Sequence, residues 1–300
     1  MSHSMTILDG GLGRELARRG APFKQPEWSA LAMIEAPEQV QEVHLDFIRS
    51  GAKVITTNSY ALVPFHLGEQ RFYEKGPSWI RRSGEVARAA ADTMADVKVA
   101  GSLPPLFGSY RPDLFDATHV KQIAQPLIDN LSDFVDLWLL ETQSMIAETE
   151  AVLALLPNDQ KPRWTSFTLD DNHPSEQPHL RSGESVSSAI QAMVGQNVEA
   201  ILFNCCQPEI ILAAIHEASE TLEKLGLKDS VRIGGYGNAF DTAQAEDATA
   251  NEGLDEMRRD LTPDAYLNLA KQWQEAGASI IGGCCGIGPD HIEKLATNLK

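Results

Sequence analysis

The sequence predicts an α/β protein built as a single (β/α)8 barrel of the TIM type, and three observations carry that expectation. Eight short apolar runs alternate with helix-patterned stretches, as repeated βα units around a parallel sheet require. Most of the runs are too uniformly apolar to be strands with one wet face. The 300 residues suit one barrel of about 250 residues with insertions.

The strand runs are Thr6–Asp9, Lys53–Asn58, Val97–Leu103, Leu137–Glu141, Arg163–Leu169, Ala200–Cys205, Arg232–Tyr236 and Ser279–Gly283. After the first run, Pro37 opens a helix with Val40, Val43, Phe47 and Ile48 on one stripe, and Gly51 stops it; proline at the first position and glycine past the end is the expected asymmetry. Later crossovers begin the same way. Pro208 precedes Ile211, Ile215 and Leu222; Thr262 and Pro263 precede Tyr266, Leu269 and Trp273, with Gly277 at the stop; Pro289 precedes Ile292 and Leu295. The pieces Ser50-Gly51-Ala52 and Ala276-Gly277-Ala278 echo each other as helix-to-strand turns, not as a repeat. Residues 1–5 (MSHSM) read as a tag remnant or disordered leader, and residues 6–300 as one domain.

Composition narrows the function. With 43% hydrophobic residues, 22% charged residues and a formal net charge of −17, the chain has no basic cluster to attract nucleic acid or an anionic bilayer. No apolar run reaches the roughly 20 residues of a membrane span, and no signal peptide opens the chain. A cytoplasmic protein acting on small molecules, with homo-oligomerisation left open, is the expectation.

In such a barrel the chemistry gathers at the C-terminal strand ends. The runs end in Asp9-Gly10-Gly11, Asn58-Ser59-Tyr60, Glu141-Thr142, Asn204-Cys205-Cys206 and Gly283-Cys284-Cys285, so all four cysteines sit at two strand ends. Buried packing thiols would explain one such cysteine better than four. A disulfide suits neither a reducing compartment nor adjacent cysteines. The C-x₂₋₄-C spacing of a structural zinc knuckle is absent. A further reading is a metal site assembled from two strands, with three thiolates and one open position, the donor set and vacancy that a catalytic zinc takes.

These residues also carry a family likeness. Asp9-Gly10-Gly11-Leu12-Gly13, Trp28-Ser29-Ala30, His44, the run Gly51 to Tyr60, Glu141-Thr142, Asn204-Cys205 and Gly282-Gly283-Cys284-Cys285-Gly286 together resemble the homocysteine S-methyltransferase family from residue 6 to the C-terminus. The resemblance implies Zn2+ held by Cys205, Cys284 and Cys285, with Cys206 a neighbour. It also implies methyl transfer from a cationic donor to the thiolate of homocysteine, giving methionine. A free alkyl thiol is only about 3% ionised at pH 7, and zinc lifts that limit. Asp9 and Glu141 are expected to anchor the substrate ammonium, with the Gly10 and Gly11 N–H groups meeting its carboxylate and Asn204 orienting it. Thr57 is expected to serve core hydrogen bonding.

Trp28 and Tyr60 are the expected donor-side aromatics, since a sulfonium is held over ring faces by cation–π attraction. Thr142 stands where betaine-using relatives carry tyrosine, and the chain ends soon after Cys285; both lean toward S-methylmethionine or S-adenosylmethionine. Leu103-Pro104-Pro105-Leu106-Phe107 and Tyr236-Gly237-Asn238-Ala239-Phe240 depart from the family, which leaves betaine or another thiol acceptor open. A non-catalytic zinc or redox-sensing barrel is the reading from another class. The Gly11-Leu12-Gly13 stretch lacks the third glycine of a dinucleotide loop. Glu246–Asp260 reads as a solvated loop and helix, with a lid as the alternative. His44, among apolar neighbours, is expected to be a partly buried histidine with its hydrogen bonds met.

Overall fold

A computed structural model describes residues 3–171, 177–240 and 257–299. Residues 246–256 of the acidic segment lie outside the described residues. All eight expected strands form: β1 (Thr6–Ile7), β2 (Val54–Thr56), β3 (Lys98–Leu103), β4 (Leu137–Gln143), β5 (Arg163–Phe167), β6 (Ala200–Asn204), β7 (Arg232–Tyr236) and β8 (Ile280–Ile281). They pair in parallel in the order β1-β8-β7-β6-β5-β4-β3-β2. Closure of β1 on β2 comes from a parallel bridge between Leu8 and Val54, flanked by Asp9 N–H to Val54 O (3.0 Å) and Lys53 N–H to Ile7 O (2.8 Å). The chain is therefore a (β/α)8 barrel, as expected.

Strand alternation decides what faces the barrel axis. Leu8, Val54, Ala100, Leu137, Leu139, Trp164, Ala200, Leu202 and Ile280 form one apolar cluster inside the sheet, with Tyr236 above them. The intervening residues Ile55, Val99, Trp138, Leu140, Ile201, Phe203 and Ile281 belong instead to the cluster shared with the helices. Advancing the inward set by two residues reaches Ser102, Glu141, Ser166, Asn204 and Gly282, and two more on β8 reach Cys284. The lower barrel is a hydrocarbon plug, and its upper rim is polar.

The expected helices appear as Pro37–Arg49, Pro208–Lys224, Pro263–Glu275 and Pro289–Asn298. Thr262 caps the third by accepting from Ala265 N–H at 3.3 Å, which satisfies one of the donors a helix start leaves open. The echoed turns share a cause: Gly51 (φ 102°) and Gly277 (φ 113°) both take a conformation that side chains disfavour. Among the described residues, no helix is long and apolar enough to cross a membrane.

His44 differs from its expected state. It is fully buried in the Pro37–Arg49 helix, and neither ring nitrogen has a hydrogen-bond partner among the described residues. Burial alone holds its pKa down at about 4, against 6.5 in water. Below pH 6.5 the unfolded chain takes up a proton that the folded chain refuses, so stability falls with pH until about pH 4. We expect the wild type to lose about 2 kcal/mol more than His44→Leu between pH 7.5 and 5. Urea unfolding at both pH values measures this, and identical losses would show that His44 finds a partner.

Candidate metal centre and substrate cavity

The three thiols expected to converge do so. The Sγ atoms of Cys205, Cys284 and Cys285 all lie within 4.8 Å of one another, and Cys284 Sγ is 3.1 Å from Cys205 Sγ. Cys284 reaches the centre by strand register, two residues beyond Gly282 and four beyond Ile280. Cys205 reaches it by a backbone departure: it follows the last residue of β6 with φ 53°, a conformation costing a non-glycine residue about 1–3 kcal/mol unless its surroundings enforce it. They do enforce it. Cys205 O accepts from Tyr110 OH (3.2 Å) and Thr168 Oγ1 (3.2 Å), and Cys205 N–H donates to Tyr236 O (3.4 Å).

The cluster's chemistry suits a soft divalent cation. Three thiolates at about 2.3 Å from one tetrahedral zinc would stand about 3.8 Å apart, which the observed spread already encloses. The Cys284 thiol donates to Cys205 and alone would favour its thiolate, but the Cys285 thiol and burial outweigh that and push Cys205 up to about 12. Cys284 is raised further by its hydrogen bonds with Cys205 and Cys285 and by burial. Such crowded thiols ionise together only around a cation. Cys206 is excluded from the cluster and packs in the shell between sheet and helices, where burial raises its pKa.

The Cys284-Cys285 turn rests on the first strand's loop. A Cβ on Gly11 would stand 2.4 Å from Cys284 O and 2.9 Å from Cys285 Cα, so only glycine lets the two segments meet. Gly11 N–H donates to Ile287 O at 2.9 Å. This corrects the expected role of Gly11: its N–H serves the fold. From the other side Tyr266 OH donates to Gly282 O (2.8 Å) and accepts from Gly237 N–H (3.0 Å), tying the ends of β7 and β8 beneath the cysteines.

A cavity of about 1150 Å³, its open mouth included, covers the cluster and is lined by Asp9, Gly10, Gly11, Trp28, Tyr60 and Glu141 among others. Asp9 accepts from Thr56 N–H (2.8 Å) and Thr56 Oγ1 (3.0 Å). Glu141 accepts from Ser102 Oγ and, at 3.5 Å, from Tyr236 OH. Burial raises both carboxyls to about 7; the Thr56 and Ser102 hydrogen bonds hold them down, while Asp9 also feels Glu141 and Glu141 feels Cys205. A cation beside either carboxyl would favour its ionised form.

Asn204 does not join the lining. Its Oδ1 accepts from Thr142 N–H (2.9 Å) and Ser166 Oγ (2.7 Å), and its Nδ2 donates to Thr142 Oγ1 (2.9 Å). The amide thus clamps β4, β5 and β6 together behind the site instead of orienting substrate. Thr57 pairs with Ser59 Oγ (2.9 Å) and accepts from Ser102 N–H (3.0 Å), the core bonding expected of it. Tyr60 bonds Ser109 Oγ at 2.6 Å. The Trp28 ring meets Phe23 edge-on at 5.6 Å and has the Arg14 guanidinium over it at 6.0 Å.

Several contributors escaped the sequence reading. Ser102 and Tyr236 occupy inward strand positions and could have been found by counting register. Tyr110, whose OH donates to Cys205 Sγ at 3.0 Å, lies seven residues past β3 in an irregular loop, where no periodicity points. Phe240, the last residue of the divergent Tyr236 to Phe240 piece, also lines the cavity, as does Arg14, which belongs to no recognisable motif.

Barrel and cavity together define a small-molecule enzyme with a three-thiol cluster at the C-terminal mouth. The chain is a methyltransferase of the homocysteine S-methyltransferase family, whose pattern it matches over residues 6–299. It is 30% identical to the homocysteine S-methyltransferase of Escherichia coli (strain K12), over 96% of this chain and 93% of that protein. A selenocysteine methyltransferase from Astragalus bisulcatus is 29% identical over 96% of this chain and 90% of its own length. The solved homocysteine methyltransferase MmuM from Escherichia coli, in its metallated form, superposes with a TM-score of 0.77 at 27% identity, covering 98% of this chain and 96% of that one.

The cluster predicts metal content directly. Purified protein is expected to carry about one metal ion per chain; Cys205→Ala and Cys284→Ala should lose it, and Cys206→Ala should keep it. Elemental analysis by mass spectrometry decides, and full metal in both of the first two variants would remove the site. Gly11→Ala should also weaken metal retention, because its methyl displaces the Cys284-Cys285 turn.

Proposed function

We propose that this chain transfers a methyl group from a cationic sulfonium donor, S-methylmethionine or S-adenosylmethionine, to the sulfur of homocysteine, giving methionine. The observation that carries the reading is the placement of three convergent thiols and two buried carboxylates on one cavity. Cys205, Cys284 and Cys285 would hold zinc, whose chemistry there is to keep an acceptor thiol as its thiolate at neutral pH.

The chain's own residues do the rest. Asp9 and Glu141 bind the acceptor's ammonium and thereby fix where its sulfur lies, while Gly10 N–H is placed for its carboxylate. Ser102 and Thr56 hold the two carboxylates in position by hydrogen bonds. Tyr110 donates to Cys205 Sγ, orienting that thiol within the cluster. With both substrates in the cavity, acceptor sulfur, methyl carbon and donor sulfur would be aligned for in-line displacement. The new carbon–sulfur bond forms as the donor's breaks, and the released pair neutralises the donor sulfur. Trp28 and Tyr60 line the donor side.

Zinc-loaded protein incubated with homocysteine and, separately, S-methylmethionine, S-adenosylmethionine and betaine should yield methionine with a sulfonium donor, read by mass spectrometry. No methionine with any donor would leave a zinc or redox barrel instead. Glu141→Gln keeps the shape and removes a charge-assisted contact, so homocysteine binding should weaken roughly 10- to 150-fold with zinc content unchanged. Unaltered homocysteine affinity in that variant would place the ammonium anchor elsewhere.

A further inference from the structure

Tyr110 lines the cavity, and its OH donates to Cys205 Sγ at 3.0 Å. Arg181 is not part of that lining, yet its guanidinium carbon lies 4.5 Å from the centre of the Tyr110 ring. The Arg181 side chain keeps 14% of its surface exposed, and its Nη2 pairs with Asp171 Oδ1 at 2.5 Å. Its Nε has no hydrogen-bond partner among the described residues. A buried donor left unpaired is costly, so a guanidinium serving only an ion pair would turn its fork to the carboxylate. This one gives its face to the phenol ring. Asp171 Oδ2 in turn accepts from the Gln207 N–H (2.9 Å), two residues past Cys205, so one carboxylate braces both the arginine and the loop that carries Cys205. Tyr110 (φ 64°) and Cys205 (φ 53°) are both held in the left-handed region, and such strain persists where the surroundings enforce it and the contact it makes has a use.

We propose that Arg181, braced by Asp171, is a positioning residue of the metal centre: its charge over the Tyr110 ring aims and strengthens the O–H that donates to the Cys205 sulfur. The inference rests on the reading of the three thiols as a metal site and deepens it. A cation against a phenol ring draws electron density from the oxygen, and a hydrogen bond polarised in this way is stronger where little water competes. The sulfur that receives it gives up part of its charge. This offsets some of the repulsion among three anionic sulfurs around one ion, so the cluster holds its metal more tightly.

Zinc affinity of the full-length protein, read by competition with a chromophoric chelator, tests this chain of contacts. Tyr110→Phe keeps the ring and removes the donor, and should weaken zinc binding roughly 10- to 100-fold. Arg181→Met keeps an apolar stem and removes the charge. It should weaken zinc binding roughly 2- to 10-fold in the wild-type background and leave the affinity of Tyr110→Phe unchanged. Arg181→Lys should recover part of the loss. Because Arg181→Met leaves Asp171 without its ion pair, Arg181→Met combined with Asp171→Asn is measured beside it and should lose the same affinity, with urea unfolding of the metal-free protein as the check on the fold. With cobalt in place of zinc, the sulfur-to-metal charge-transfer band should move to lower energy in Tyr110→Phe and by a smaller step in Arg181→Met. Equal weakening by Arg181→Met with and without the Tyr110 hydroxyl would overturn the assignment and make the arginine a brace of its loop. An unmoved cobalt band in both variants would overturn it too. A wild type that binds no zinc removes the metal-centre reading and this inference with it, whereas zinc binding with additive losses removes only the role of Arg181.

Discussion

Everything at the mouth of this barrel depends on holding three thiols from two strands within 4.8 Å of one another. The strands concerned, β6 and β8, are not neighbours; β7 lies between them. Adjacent cysteinates repel, and burial deepens the penalty, so the arrangement persists only where the scaffold is rigid and a cation is expected. Cys205 in its left-handed conformation, Gly11 beneath Cys284 and Tyr266 across the ends of β7 and β8 are the rigid parts. Each fixes the backbone around the thiols, so their convergence is built into the fold.

The same interior organises charge. Hydrocarbon fills the barrel below the rim, and the low dielectric this creates raises Asp9 and Glu141 to about 7. A charge brought beside those carboxyls would be felt more strongly than beside exposed ones, because little water competes. Their hydrogen-bond partners come from other strands: Thr56 on β2 serves Asp9, while Ser102 on β3 and Tyr236 on β7 serve Glu141. The contacts that join the strands therefore also hold the two carboxyls at the cavity.

The fold was legible because barrel strands announce themselves as apolar runs and their helices as proline-started, glycine-stopped stripes. The strand limits were less so: β1 and β8 shorten to two residues each, and the Gly10-Gly11 and Cys284-Cys285 segments that follow line the cavity. Conversely β4 continues past Glu141 with a register shift before Gln143, a distortion that local propensity does not encode. Asn204 was expected to orient the substrate, yet its hydrogen bonds go to Thr142 and Ser166, residues 62 and 38 positions away. His44 was read correctly as surrounded by apolar groups, but its unpartnered state depends on neighbours brought in from elsewhere in the fold.

By itself the sequence determined the barrel, the family and the set of cysteines and carboxylates at the strand ends, because these follow from local periodicity and from residues adjacent in the chain. Only the tertiary structure decided which of those groups face one another. It separated Cys206 from Cys205 by turning one inward and the other into the helix-facing shell. It set Tyr110 on Cys205 across 95 residues, gave the Gly11 N–H to Ile287, and brought Arg14 to 6.0 Å from the Trp28 ring and 5.5 Å from the Phe240 ring. Such contacts arise from closing a sheet on itself, and a closed sheet joins residues whose separation along the chain carries no record of the contact.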